Sequence, residues 1–133
     1  RKPAPRVAAL ESNPRVRIFR MVDQEKLSLI HKHCAMAVCS SRVETLHLAG
    51  IEAGASGLPI LATDTGIYSS MRDDISWGLI ADWENPMPQV DFIMQNQNQF
   101  NPRAKLLKMQ LDKDSSRIKW QAAVSSVLEG RSV

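Results

Sequence analysis

Hydrophobic positions in this chain recur with two different periods, and the alternation between them outlines the elements. Ala35 to Cys39 reads A-M-A-V-C, an unbroken apolar run. Such a run suits a central parallel strand buried on both faces. Ile60-Leu61-Ala62 is a second short run, set off by Pro59 and closed by Thr63-Asp64, and Trp77 to Ala81 is a third. Val16 to Phe19 is placed among arginines and reads as a further strand. The stretches between carry helical spacing. Pro3 to Ser12 has a thin apolar edge at Val7 and Leu10. Gln24 to His33 places Leu27, Ile30 and Cys34 inward, with Asp23 as N-cap. A helix opens near Thr45 to His47, and a short one covers Tyr68 to Arg72. Gln89 to Phe100 directs Val90, Ile93 and Met94 inward. Asn101-Pro102 starts a helix that runs on from Arg103 to Asp112. Ser115 to Leu128 aligns Trp120, Val124, Val127 and Leu128 on one stripe. Strands alternating with helices predict an α/β fold: a three-layer, Rossmann-like domain with a parallel sheet flanked by helices.

Chemistry concentrates between Ser41 and Asp64. Glu44 and Glu52 bracket seven residues, five of them apolar or glycine. If most of that interval is helical, its eight steps span about 12 Å, a distance comparable to that from a sugar across a diphosphate to a ribose. The helix start between the acids offers free N–H groups and a positive dipole end to a phosphate. Carboxylates on either side accept hydrogen bonds from hydroxyls. The plainer alternative makes both acids solvated helix-surface charges. For Glu52 that conflicts with its neighbours Ile51, Ala53 and Ala55, in a run that packs against the sheet.

Composition narrows the classes. The 133 residues are 44% hydrophobic and 23% charged, the balance of one globular domain. A net charge of +3 without any block of like charges argues against nucleic acid. The sequence shows no signal peptide and no apolar run of membrane-spanning length. Cys34 and Cys39 are too few for a disulfide framework and point to the cytoplasm. His31 and His33 fall on opposite sides of their helix, and no second cluster completes a tetrahedral metal site.

The acid, seven residues, acid pattern followed by A-x-A-x-G-x-P-I-x-A-T-D resembles the retaining glycosyltransferases of family 4, which have the two-Rossmann-domain (GT-B) fold. The resemblance implies that residues 1–133 form most of the C-terminal, nucleotide-sugar-binding half. The acceptor-binding N-terminal half and the first strand or strands would then lie outside this chain. It implies a hexosyltransferase that retains anomeric configuration, uses no cofactor or metal, and takes a UDP- or GDP-linked sugar as donor. It also implies an acceptor held by the missing half, which leaves room for peripheral membrane association there. By the same resemblance Glu44 is the catalytic-site acid facing the transferred sugar, and Glu52 binds ribose hydroxyls. Thr45, Leu46, His47 and Leu48 line the donor phosphates, and the backbone of Val22 touches the base. Val22 is alternatively a buried anchor for its helix, His47 a packing residue at the helix start, and Trp77 a core residue rather than a ring that stacks on ligand.

Several positions depart from the family pattern. Arg20, Thr45, His47 and Ile67 stand where the family commonly has glycine, Ser40 where it has proline, and Ser70 where it has glutamate. Thr45 and His47 crowd the backbone approach to phosphate or replace it with side-chain contacts. A sugar-nucleotide 2-epimerase-like isomerase and a non-catalytic domain of the same fold therefore stay open as alternatives.

Overall fold

The computed structural model describes residues 5–109 and 113–128. The chain divides into two compact units, Arg1–Ile30 and His31–Val133.

In the first unit, α1 (Pro5–Glu11) ends in a turn. There the Ser12 hydroxyl donates to the Ala9 carbonyl at 2.8 Å, and the Asn13 side chain accepts from the Arg15 N–H at 2.9 Å. Arg20 pairs with Glu11. The expected strand at Val16–Phe19 does not form, and Ile18 and Phe19 are exposed. A strand needs a neighbour to take its backbone hydrogen bonds, and among the described residues this segment pairs with none. Asp23 caps the next helix as expected: its carboxylate accepts from the Lys26 N–H at 2.8 Å at the start of α2 (Gln24–Lys32). Leu27 and Ile30 are half-buried, whereas Cys34 lies past the end of α2 and is exposed.

The second unit is built on a parallel sheet that has three strands among the described residues, β1 (Ala37–Cys39), β2 (Ile60–Ala62) and β3 (Gly78–Ile80), in that order. Ala37 pairs with Ile60 and Ile60 with Gly78, so the three strands end level with one another. The strand buried on both faces is β2, not β1 as its sequence suggested. Every residue of β2 is buried, whereas Val38 on β1 is 57% exposed at one edge of the sheet. Burial on two faces depends on what covers each face, which a run of apolar residues does not specify.

Two cores form, one on each side of the sheet. Cys39, Ile60 and Ala62 pack with Tyr68, Met71 and Trp77, and Leu61 packs with Ile93 and Phe100 on the other. Trp77 is 1% exposed, stacks on Tyr68 with ring centres 5.0 Å apart, and donates its indole N–H to the Met71 carbonyl at 2.8 Å. It is a core residue, with its one polar atom satisfied.

Helix α3 (Leu48–Ala55) buries Gly50, Ala53 and Gly54. Small residues there let it lie close to β1, β2 and α6 (Pro102–Lys108). It ends at Gly57, φ 92°, where the N–H groups of Gly57 and Leu58 reach back to the carbonyls of Gly54 and Ala53. That closure satisfies the last orphan carbonyls before Pro59 turns the chain into β2. Between β2 and β3 lies the four-residue helix α4 (Ile67–Ser70), shorter than the Tyr68–Arg72 expected.

After β3, α5 (Met87–Gln95) buries Ile93, but Met94 faces outward, and a 3-10 turn at Gln97–Gln99 interrupts the expected longer helix. Asn101 caps α6 by accepting from the Ala104 N–H at 3.1 Å. Lys105 on α6 reaches Asp74 at 2.7 Å, tying that helix to the turn before β3. The last described helix is α7 (Lys113–Leu128), on which Val124 is exposed. Residues 110–112 and the side chains of Trp120, Val127 and Leu128 lie outside the described part. No described helix is long and apolar enough to cross a membrane.

Candidate functional site

Because β1, β2 and β3 are parallel and end level, the three loops that follow them share one edge of the sheet. Ligands of open α/β sheets bind outside that carboxyl edge. The loop after β1, residues 40–47, carries Glu44 and leads into α3. The loop after β2 is Thr63–Gly66, and the loop after β3 carries Trp83.

Hydrogen bonds join these loops. The Thr63 N–H donates to the Cys39 carbonyl at 2.9 Å. The Thr65 hydroxyl accepts from the Glu44 N–H at 3.3 Å and lies 3.5 Å from the Glu44 carbonyl. The Trp83 indole N–H donates to the Thr63 hydroxyl at 3.0 Å. Gly66 has φ 54° and ψ −132°, a conformation that side chains rarely adopt. A Cβ there would sit 2.6 Å from the carbonyl oxygens of both Glu44 and Thr45. Glycine at 66 is thus what lets the second loop lie against the first.

His47 sets the start of α3. Its Nδ1 accepts from the Gly50 N–H at 3.1 Å, and its carbonyl accepts from the Ile51 N–H at 3.0 Å. Nδ1 therefore carries no proton in this arrangement, and the proton on Nε2 faces the Ser41 hydroxyl at 3.3 Å. The ring also lies 5.8 Å from that of Tyr68. The side chain thus takes the packing and capping role at the helix start, in place of a Ser or Asp cap.

Only the second half of the interval between the acids is helical, since α3 begins at Leu48. Four helical steps and a loop therefore replace the continuous helix of the sequence estimate. Glu44 is half-buried in its loop. Its charge helps push the Cys39 thiol and the Tyr68 hydroxyl upward in pKa, after burial, which is the largest cause for both. The Tyr68 hydroxyl donates to the Cys39 sulfur at 3.7 Å, and both groups are neutral at physiological pH.

Glu52 is half-buried at the second turn of α3 and held in an interaction, so it is not a freely solvated charge. Thr45, Leu46 and Leu48 are exposed around the helix start. Val22 is half-buried within the Arg1–Ile30 unit, so it belongs to the other compact body. Arg42 is exposed, while Arg72 pairs with Asp64 and helps hold that carboxyl below its usual range. His31 is turned to the Ser56 hydroxyl at 3.1 Å, and no set of three metal-ligating side chains gathers among the described residues.

Thr65 and Trp83 belong to this edge, and neither stands out in the sequence. A threonine three residues past a strand end and a tryptophan three residues past another are signals only once the strands are known to lie side by side.

No curated protein and no solved structure matches the chain. A family model does, and it covers residues 5–106, more than three quarters of the length. That span includes all three strands, α3 and each of the strand-end loops joined to Glu44. The model is that of the glycosyl transferases group 1, and the chain belongs to that family.

Proposed function

We propose that this chain binds the donor, a nucleotide-diphosphate sugar, in a retaining hexosyl transfer. The observation that carries the reading is the corner at the sheet's carboxyl edge. There, one half-buried acid precedes the start of α3 and a second follows it. Glycosyl transfer comes with the family; the donor class and the stereochemistry are the proposal.

Each residue then has a role. Glu44 accepts hydrogen bonds from the transferred sugar, and its loop is held for that purpose by Thr65 and Gly66. Glu52 accepts from the ribose hydroxyls. The diphosphate sits at the start of α3, where His47 already engages the N–H groups of Gly50 and Ile51. The N–H groups of Leu48 and Ala49, at the first two helical positions, are those a phosphate would meet, along with the positive end of the dipole. They stabilise the charge that develops on the leaving diphosphate. UDP- or GDP-linked donors are the expected class, and the acceptor is held by a second α/β half.

The same His47 cap supports a second reading, a non-catalytic domain of the family, because a side chain occupies part of the anion-binding corner. Calorimetric titration of UDP, GDP and ADP separates the two. The donor reading expects saturable binding of at least one nucleotide. It also expects a loss of roughly 10-fold or more in Glu52→Ala, the value of a charged hydrogen bond pair. Binding that is indifferent to Glu52→Ala, or absent for all three nucleotides, rejects it.

A further inference from the structure

We infer that Trp83 is a stacking platform for the hexose of the donor, and that Thr63 aims it. The inference rests on the donor-site reading above and adds a sugar-contacting residue to it. Trp83 is 42% exposed, at the same sheet edge as Glu44. A tryptophan ring left half in water contributes little to a core, yet this one is held in place. Its indole N–H is committed to the Thr63 hydroxyl at 3.0 Å.

Its loop is pinned on both sides as well. Gln89 donates to the Ile80 carbonyl at 2.6 Å and accepts from the Asp82 N–H at 2.7 Å, and Asp82 in turn accepts from the Glu84 N–H at 3.1 Å. An aromatic ring pre-positioned in this way binds without first losing side-chain freedom.

The connections decide between sugar and base. Trp83 bonds to Thr63, and two residues on, Thr65 bonds to the backbone of Glu44. The ring is therefore coupled to the acid assigned to the sugar. Glu52, the acid assigned to the ribose, is on α3 beyond the phosphate corner. A pyranose presents an apolar C–H face and a rim of hydroxyls. The flat indole suits the first and the carboxylate of Glu44 the second.

The test compares each nucleoside diphosphate with its hexose conjugate: UDP with UDP-glucose, GDP with GDP-mannose, ADP with ADP-glucose. Affinities are read by calorimetry on the full chain, and tryptophan fluorescence is followed in parallel. In the wild type one conjugate binds roughly 3- to 10-fold tighter than its parent nucleotide, the value of one stacking contact. The sugar also changes the fluorescence. Trp83→Leu brings conjugate and nucleotide to equal affinity, removes the fluorescence response and leaves binding of the nucleotide itself unchanged. Thr63→Val keeps the ring but loosens it, and moves the ratio the same way by a smaller amount. Thermal melting of both variants within a few degrees of wild type excludes unfolding as the cause. An unchanged conjugate-to-nucleotide ratio in Trp83→Leu overturns the inference, and so does an equal loss for conjugate and nucleotide, which would place the ring on the base. In either case nucleotide binding that still depends on Glu52 leaves the donor reading standing. If neither nucleotides nor conjugates bind the wild type, both readings fall.

Discussion

Replacing Gly66 by alanine tests the contact on which the candidate site depends. The residue has φ 54° and ψ −132°, which for any side chain costs on the order of 1–3 kcal/mol. The new Cβ would also lie 2.6 Å from two carbonyl oxygens, those of Glu44 and Thr45. Backbone atoms cannot rotate away as a side chain can, so the first loop must shift or the second must rise. Together these effects come to roughly 2–4 kcal/mol.

Gly57 provides the control. It also has positive φ, at 92°, but a Cβ there meets nothing within 4 Å. Gly57→Ala should cost only the backbone term, about 1 kcal/mol. For a domain of this size about 4 °C of melting temperature corresponds to 1 kcal/mol. Thermal melts followed by circular dichroism should therefore drop by roughly 8–15 °C for Gly66→Ala and about 4 °C for Gly57→Ala. Nucleotide affinity should fall only in the first. If the two variants melt within about 2 °C of each other, the loops do not press together at Gly66, and the positioning of Glu44 argued above is wrong.

Two further measurements probe the frame. His47→Ala removes the α3 cap and should lower the melting temperature by roughly 2–8 °C, from a cap energy of about 0.5–2 kcal/mol; an unchanged melt would mean that the Nδ1–Gly50 bond contributes nothing. Asp74 has its pKa lowered, chiefly by the hydrogen bond from Lys105 and then by Ser76. A lowered folded-state value means stability that is complete above the unfolded carboxylate value of about 3.9 and lost as pH falls below it. Melts taken from pH 5 down to roughly pH 2 should show that loss, Asp74→Asn should flatten it, and an identical slope in the variant would remove Asp74 from the acid response.

Much of this protein follows from local pattern. Asn101-Pro102 and Asp23 announce their helix starts because a cap needs only a side chain and an N–H three residues away. The order of strands and helices, and the run of small residues in α3, are similarly local, and with them came the α/β class and the family. The edge on which Glu44 lies is a different matter. Whether an apolar run is covered on one face or two depends on partners distant in sequence, and so β2 rather than β1 is the strand buried on both faces. The arginine-flanked segment at Val16–Phe19 has strand-like residues but makes no strand pairing among the described residues. His47 became a cap because its ring nitrogen could reach the N–H of Gly50, and Thr65 and Trp83 became part of the edge because three parallel strands end level. Periodicity reports what a residue does to its own segment; only the packed chain brings separate loops within hydrogen-bonding distance.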